Sequence, residues 1–175
     1  MNKIVFLDTE TWWLDEDTNA LLTIGYTITN GIYNIIESRE YKVPINGTIE
    51  DSALAINGLD VTDWRYEKTV AEVVQDIIDA VGDVEEAAIY WHNIQFDLNF
   101  IKAQDKEAYL KLKNFFKRNV VDTKSLLIHA MTECKYDGSV SMHKFMWLQP
   151  KKHSAIDDTK INVELVKKFN LINNN

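Results

Sequence analysis

Two carboxylates stand two residues apart at the end of an apolar run near the start of the chain, in Phe6-Leu7-Asp8-Thr9-Glu10-Thr11. Lys3 to Thr9 reads as a strand that is apolar on both faces, which predicts a central, buried place in a sheet. Residues two apart on a strand project from the same face. Two acids on one face of a buried strand cost several kcal/mol each unless something compensates. A divalent cation would compensate. The alternative is that the strand has already ended and both acids are solvated.

The remaining pattern sets the architecture around that strand. Ala20 to Thr29 carries Leu22, Ile24, Tyr26 and Ile28 at period two, and Ile32 to Val43 is rich in β-branched and aromatic residues. Asn30-Gly31 between them predicts a tight hairpin. Helical spacing follows. Ile49 to Ile56 is a short candidate, and Lys68 to Ala80 places Val70, Val73, Val74, Ile77 and Ile78 on one face before Gly82. Ala87 to Trp91 reads as a strand, Phe96 to Ala103 and Ala108 to Phe116 as helices, and Asn119 to Val121 as a short strand. Thr123 to Met131, Ser141 to Leu148 and Ala155 to Phe169 read as helices. The order βββ, α, βαβα predicts an α/β layer architecture with parallel pairing in the second half.

Two further segments carry acids that this architecture turns inward. In Trp91-His92-Asn93-Ile94-Gln95-Phe96-Asp97 a strand runs into a helix, and ligands gather at the carboxyl ends of strands in open α/β sheets. Asp97 shares a helical face with Phe100 and Ile101. It is either an inward functional group or an acid complementing the helix dipole. In His153-Ser154-Ala155-Ile156-Asp157-Asp158-Thr159, periodicity separates the two acids. Asp158 falls in register with Ile161, Leu165 and Phe169, the expected buried stripe, whereas Asp157 falls in register with Lys160, Glu164 and Lys168. His153 precedes the helix and is placed either to reach the same cleft or to stay at the surface. Four acids from three distant segments thus face one sheet end. All-oxygen ligation suits Mg²⁺ or Mn²⁺, and carboxylate sites with two such ions, roughly 3.5–4 Å apart, serve phosphodiester hydrolysis.

The net charge of −8 argues against binding nucleic acid. The objection weakens where clustered acids hold cations, because the metals become the largest positive charges in the site. The single cysteine, Cys134, points to a reducing compartment. With no signal peptide and no membrane span, a cytoplasmic location is expected. The 175 residues fit one domain, with the last few as a tail.

The three segments resemble the three motifs of the DEDDh exonucleases. This DnaQ-like group includes the proofreading subunit of bacterial DNA polymerase III, RNase T and oligoribonuclease. Phe6 to Thr11 resembles the first motif, His92 to Asp97 the second and His153 to Asp158 the third. Val121-Asp122-Thr123 resembles the strand-to-helix turn between the last two. The resemblance covers nearly the whole chain and implies an RNase H-like exonuclease fold, a mixed five-stranded sheet flanked by helices. It departs at Asn57, where the family usually has histidine, and at Ile94, where a small residue is common.

The resemblance also implies an activity. The chain is expected to hydrolyse phosphodiester bonds from the 3′ end of single-stranded DNA, releasing nucleoside 5′-monophosphates with two divalent ions, Mg²⁺ or Mn²⁺. Asp8, Glu10, Asp97 and Asp158 would be the metal-binding carboxylates and His153 the general base. Thr9, Thr11, Trp12, Asn57, His92 and Phe96 would contact the substrate. Trp12 or Trp13 is either a base-stacking platform, worth about 1–3 kcal/mol per base, or core packing. Two rival readings stay open: an exoribonuclease acting on short RNA or tRNA ends, and a non-catalytic nucleic-acid-binding or polymerase-associated module. A polymerase partner is compatible with the family, although the short tail after the last helix favours a free-standing nuclease.

Overall fold

The fold is described from a computed structural model, which covers residues 2–12, 14–48, 61–82, 85, 87–125, 128 and 154–173. Strands β1 (Lys3–Thr11), β2 (Leu21–Asn30) and β3 (Ile35–Lys42) come first, followed by helix α1 (Val70–Val81). Next come β4 (Ala87–Trp91), α2 (Ile94–Gln104), α3 (Lys106–Phe116), β5 (Val120–Asp122) and α4 (Ala155–Asn173). The five strands form one sheet in the order β3-β2-β1-β4-β5. β1 pairs antiparallel with β2 and parallel with β4. The sheet is therefore mixed and β1 is its central strand, as its two apolar faces predict.

The two faces of β1 have different partners. Val5 and Leu7 join the main core with residues of α1, α2 and α3. Ile4 and Phe6 pack on Val163 and Val166 of α4. Asp8 and Glu10 continue the second row, so they lie on the face that α4 covers.

α4 can sit close to that face because of Gly25, which pairs with Asp8 across β1 and β2. A Cβ at Gly25 would meet the Ala155 carbonyl carbon at 2.5 Å and the Ile156 nitrogen at 2.6 Å. Helix backbone occupies the space a side chain would fill. Beside it, Thr27 Oγ1 lies 2.7 Å from Thr159 Oγ1 and 2.9 Å from Ser38 Oγ. A short polar seam thus ties the first turns of α4 to β2 and β3.

Several boundaries differ from the sequence reading, each for a local reason. The hairpin between β2 and β3 is not a two-residue Asn-Gly turn. The Asn30 side chain accepts the N–H groups of Ile32 and Asn34, and the positive φ falls on Tyr33 at 61°. α1 starts one residue after Thr69, whose hydroxyl and Glu72 form a reciprocal capping box. α3 starts early because the Asp105 side chain caps it through Ala108 N–H. α4 runs four residues past Phe169. The helices expected over 49–56 and 141–148 lie outside the described residues, as does most of that expected over 123–131. Among the described residues, no helix is long and apolar enough to cross a membrane.

The close approach at Gly25 generates a prediction. Gly25→Ala forces α4 outward and should cost about 1–3 kcal/mol, the usual penalty for overpacking. Urea unfolding measures this, and an unchanged midpoint would show that the helix does not depend on the missing side chain.

Candidate metal centre

β1, its neighbour β2 and the first turn of α4 build the centre. Carboxylate oxygens of Asp8, Glu10 and Asp158 all lie within 4.8 Å of one another. Asp8 and Glu10 arrive there by strand alternation. Asp158 arrives because α4 starts directly over Gly25, with Ser154 Oγ accepting the Asp157 N–H. The buried stripe of α4 is Ala155, Thr159, Asn162, Val163 and Val166, with Leu165 beside it. Ile161 and Phe169 are only half-buried, so the stripe is rotated from the one expected. Asp158 sits on its flank and still reaches the two acids of β1. Asp157 turns toward Lys160, at 3.9 Å, with a largely exposed side chain.

Asp97 is held differently. It is 2% exposed, in the first turn of α2 with Phe100 and Ile101 on its face. Its Oδ1 accepts the Thr9 N–H at 2.9 Å and the Thr9 hydroxyl at 2.6 Å. Thr9 belongs to the row of β1 opposite to Asp8 and Glu10. Asp97 therefore braces the end of β1 through Thr9; it lies outside the three-acid group but leads the repulsion felt by Asp8. The Thr9 backbone N–H thus serves Asp97.

The electrostatics show what this packing costs. Burial, before all else, holds the Asp8 carboxyl well above the usual carboxylate range, with Asp97, Asp158, Glu10 and Glu40 adding repulsion. Part of the Asp8 surface is accessible, but the atoms around its carboxyl are dense enough to make desolvation the leading cause. Glu10 is pushed up to about 7 by burial and then by Asp158, Glu40 and Asp97. Asp97 is also raised to about 7 by burial, against the hydrogen bonds from Thr9. The Trp91 Nε1 beside it favours the charged form without reaching hydrogen-bond geometry. Three mutually repelling oxygen donors fit a hard divalent cation, which would replace the repulsion with attraction.

Other expected contacts fall in varied places. His92 is half-buried, with Nδ1 3.2 Å from Thr123 Oγ1. The Thr123 hydroxyl donates to the Trp91 carbonyl at 2.9 Å, so His92 Nδ1–H is the donor to Thr123. Asp122 accepts the N–H groups of Asn93, Lys124 and Ser125, joining this loop to the next helical turn. Phe96 stacks at a tilt on Phe100, with ring centres 5.0 Å apart. Thr11 is 8% exposed at the irregular end of β1. Trp12 is fully buried with Ala20 and Leu22, which corrects the stacking expectation because the indole has no face open to a base. His153, Asn57 and Trp13 lie outside the described residues.

Glu40 was missed from sequence. It pairs with Gly25, and Gly25 pairs with Asp8, so the three form one row across β3, β2 and β1. Strand register is the signal that would have found it, because nothing in the segment's own composition sets Glu40 apart.

Comparisons with known proteins agree with this geometry. A family model described as an exonuclease, RNase T, matches residues 5–166. The chain belongs to that exonuclease family. Its fold is shared with exonuclease I of E. coli. The zinc-bound complex of that enzyme with single-stranded DNA gives a TM-score of 0.75 at 16% identity, over 95% of this chain and 40% of that one. Its complex with a dT13 oligonucleotide gives 0.76 at 15% identity, over 96% and 41%. This member of the exonuclease family thus spans about 40% of the length of those structures. No match is found among curated proteins.

The raised carboxyls give the metal-free protein a defined pH dependence. The folded state binds protons that the unfolded chain has lost between about pH 4 and 7. Stability should therefore fall as pH rises from 5.5 to 8 (an arbitrary test window), by several degrees of Tm at about 2–4 °C per kcal/mol. Melting curves in EDTA test this. Glu10→Gln should flatten the slope, and an equal slope in that variant would remove Glu10 as a source.

Proposed function

We propose that this chain is a 3′→5′ exonuclease that removes nucleotides from single-stranded DNA and releases nucleoside 5′-monophosphates. The observation that carries the reading is the convergence of Asp8, Glu10 and Asp158 within 4.8 Å, in a chain of an exonuclease family. The single-stranded substrate is supported by the oligonucleotides bound to the E. coli enzyme of the same fold.

Asp8, Glu10 and Asp158 would hold the two divalent ions, Mg²⁺ or Mn²⁺. Asp97, kept in place by Thr9, would support the cluster as its fourth metal-binding carboxylate. Bound there, such ions supply Lewis-acid stabilisation of the attacking and leaving oxygens of the phosphodiester. The chain itself supplies position, charge and a base. His153 is assigned the proton of the attacking water, because an unperturbed imidazole exchanges its proton near neutral pH and the third motif places this histidine five residues before Asp158. His92, in the loop that Thr123 and Asp122 fix, and Phe96, in the first turn of α2, would border the terminal nucleotide.

The test is digestion of matched DNA and RNA oligomers in Mg²⁺ or Mn²⁺. The 3′ label should appear at once as mononucleotide while the 5′ label shortens stepwise, with DNA degraded faster. Asp8→Asn should abolish release without loss of fold, and His153→Ala should slow turnover by about 10²–10⁴-fold. Normal digestion by Asp8→Asn would refute the reading. Faster loss of RNA would reassign the polymer.

A further inference from the structure

The polar contacts at the start of α4 go beyond what the metal centre alone requires. A helix leaves its first N–H groups without intrahelical partners. Here Ser154 accepts the Asp157 N–H, and Glu40 Oε1 accepts the Ile156 N–H at 3.3 Å. The same oxygen takes a long hydrogen bond from Thr23 Oγ1, at 3.5 Å. Glu40 stands on β3, an edge strand of the sheet, where a glutamate can extend into water without cost. Instead it reaches inward across Gly25 to the helix start. That reach adds a further negative charge beside Glu10 and Asp8, which already repel each other. A residue so placed needs a compensating role, and the Ile156 N–H supplies one. Its charge also complements the positive end of the helix dipole.

Resting on the metal-centre reading above, we propose that Glu40 is a positioning residue for Asp158. By accepting the Ile156 N–H it anchors the first turn of α4 to β3, two residues before Asp158. Gly25 permits the approach and Glu40 locks it. Asp158 is then fixed in distance and direction relative to Asp8 and Glu10. Loss of the anchor lets the first turn fray, and the third carboxylate no longer meets the other two at a constant spacing.

Three measurements on Glu40→Ala and Glu40→Gln test this. The first is amide exchange of residues 155–160 in metal-free protein. The second is Mn²⁺ affinity by titration calorimetry, and the third is kcat and KM on a single-stranded DNA oligomer. Glutamine keeps an oxygen acceptor of the same reach but removes the charge. In Glu40→Ala, exchange should quicken and Mn²⁺ binding should weaken, each by about tenfold, the scale of one hydrogen bond. kcat should fall with KM unchanged. Glu40→Gln should restore all three to near the wild-type values. Unchanged exchange in Glu40→Ala overturns the anchor. Equal losses in both variants overturn it too, because charge alone would then be the cause. Exchange reports on the anchor without any metal. If the wild type binds no Mn²⁺ while Glu40→Ala still exchanges faster, the metal-centre reading fails and the anchor stands.

Discussion

The mutual repulsion of carboxylates at the end of β1 is the constraint on which the rest of this structure depends. Asp8 and Glu10 share a face by strand alternation, and α4 delivers Asp158 to the same place. Burial adds its own penalty, which holds Asp8, Glu10 and Asp97 above their ordinary range. A fold selected for stability alone would not keep such a cluster. The surrounding elements then read as supports. Gly25 gives room to the helix backbone, Thr27 and Thr159 tie it to the sheet, and Thr9 steadies Asp97.

The two faces of β1 divide the labour. One row, Ile4, Phe6, Asp8 and Glu10, meets α4 and ends in the metal centre. The other, Val5, Leu7 and Thr9, meets the large core and ends on Asp97. A single strand therefore transmits the packing of both layers to one group of oxygen atoms. The chain's net charge of −8 fits this arrangement, since part of it is concentrated where cations would neutralise it.

Much of this was legible in the sequence. Period-two spacing placed Asp8 and Glu10 together, and helical spacing turned Asp97 inward and preferred Asp158 to Asp157. These are local regularities, readable one element at a time. What escaped depends on how elements meet. Sequence leaves Trp12 open between base stacking and core packing, and only its enclosure with Ala20 and Leu22 decides for the core. The bond from Thr9 to Asp97 appears only once α2 meets β1. Glu40 looks solvated until the register of three strands sets it beside Asp8. Gly25 likewise matters only once a helix lies over it, since its missing side chain is what lets the start of α4 approach the sheet.

The most direct test of the account is the anomalous scattering of a crystal soaked in Mn²⁺. The account predicts manganese density between the carboxylates of Asp8, Glu10 and Asp158, absent from crystals of an Asp158→Asn protein. Well-ordered wild-type crystals in millimolar Mn²⁺ with no density at that point would contradict it.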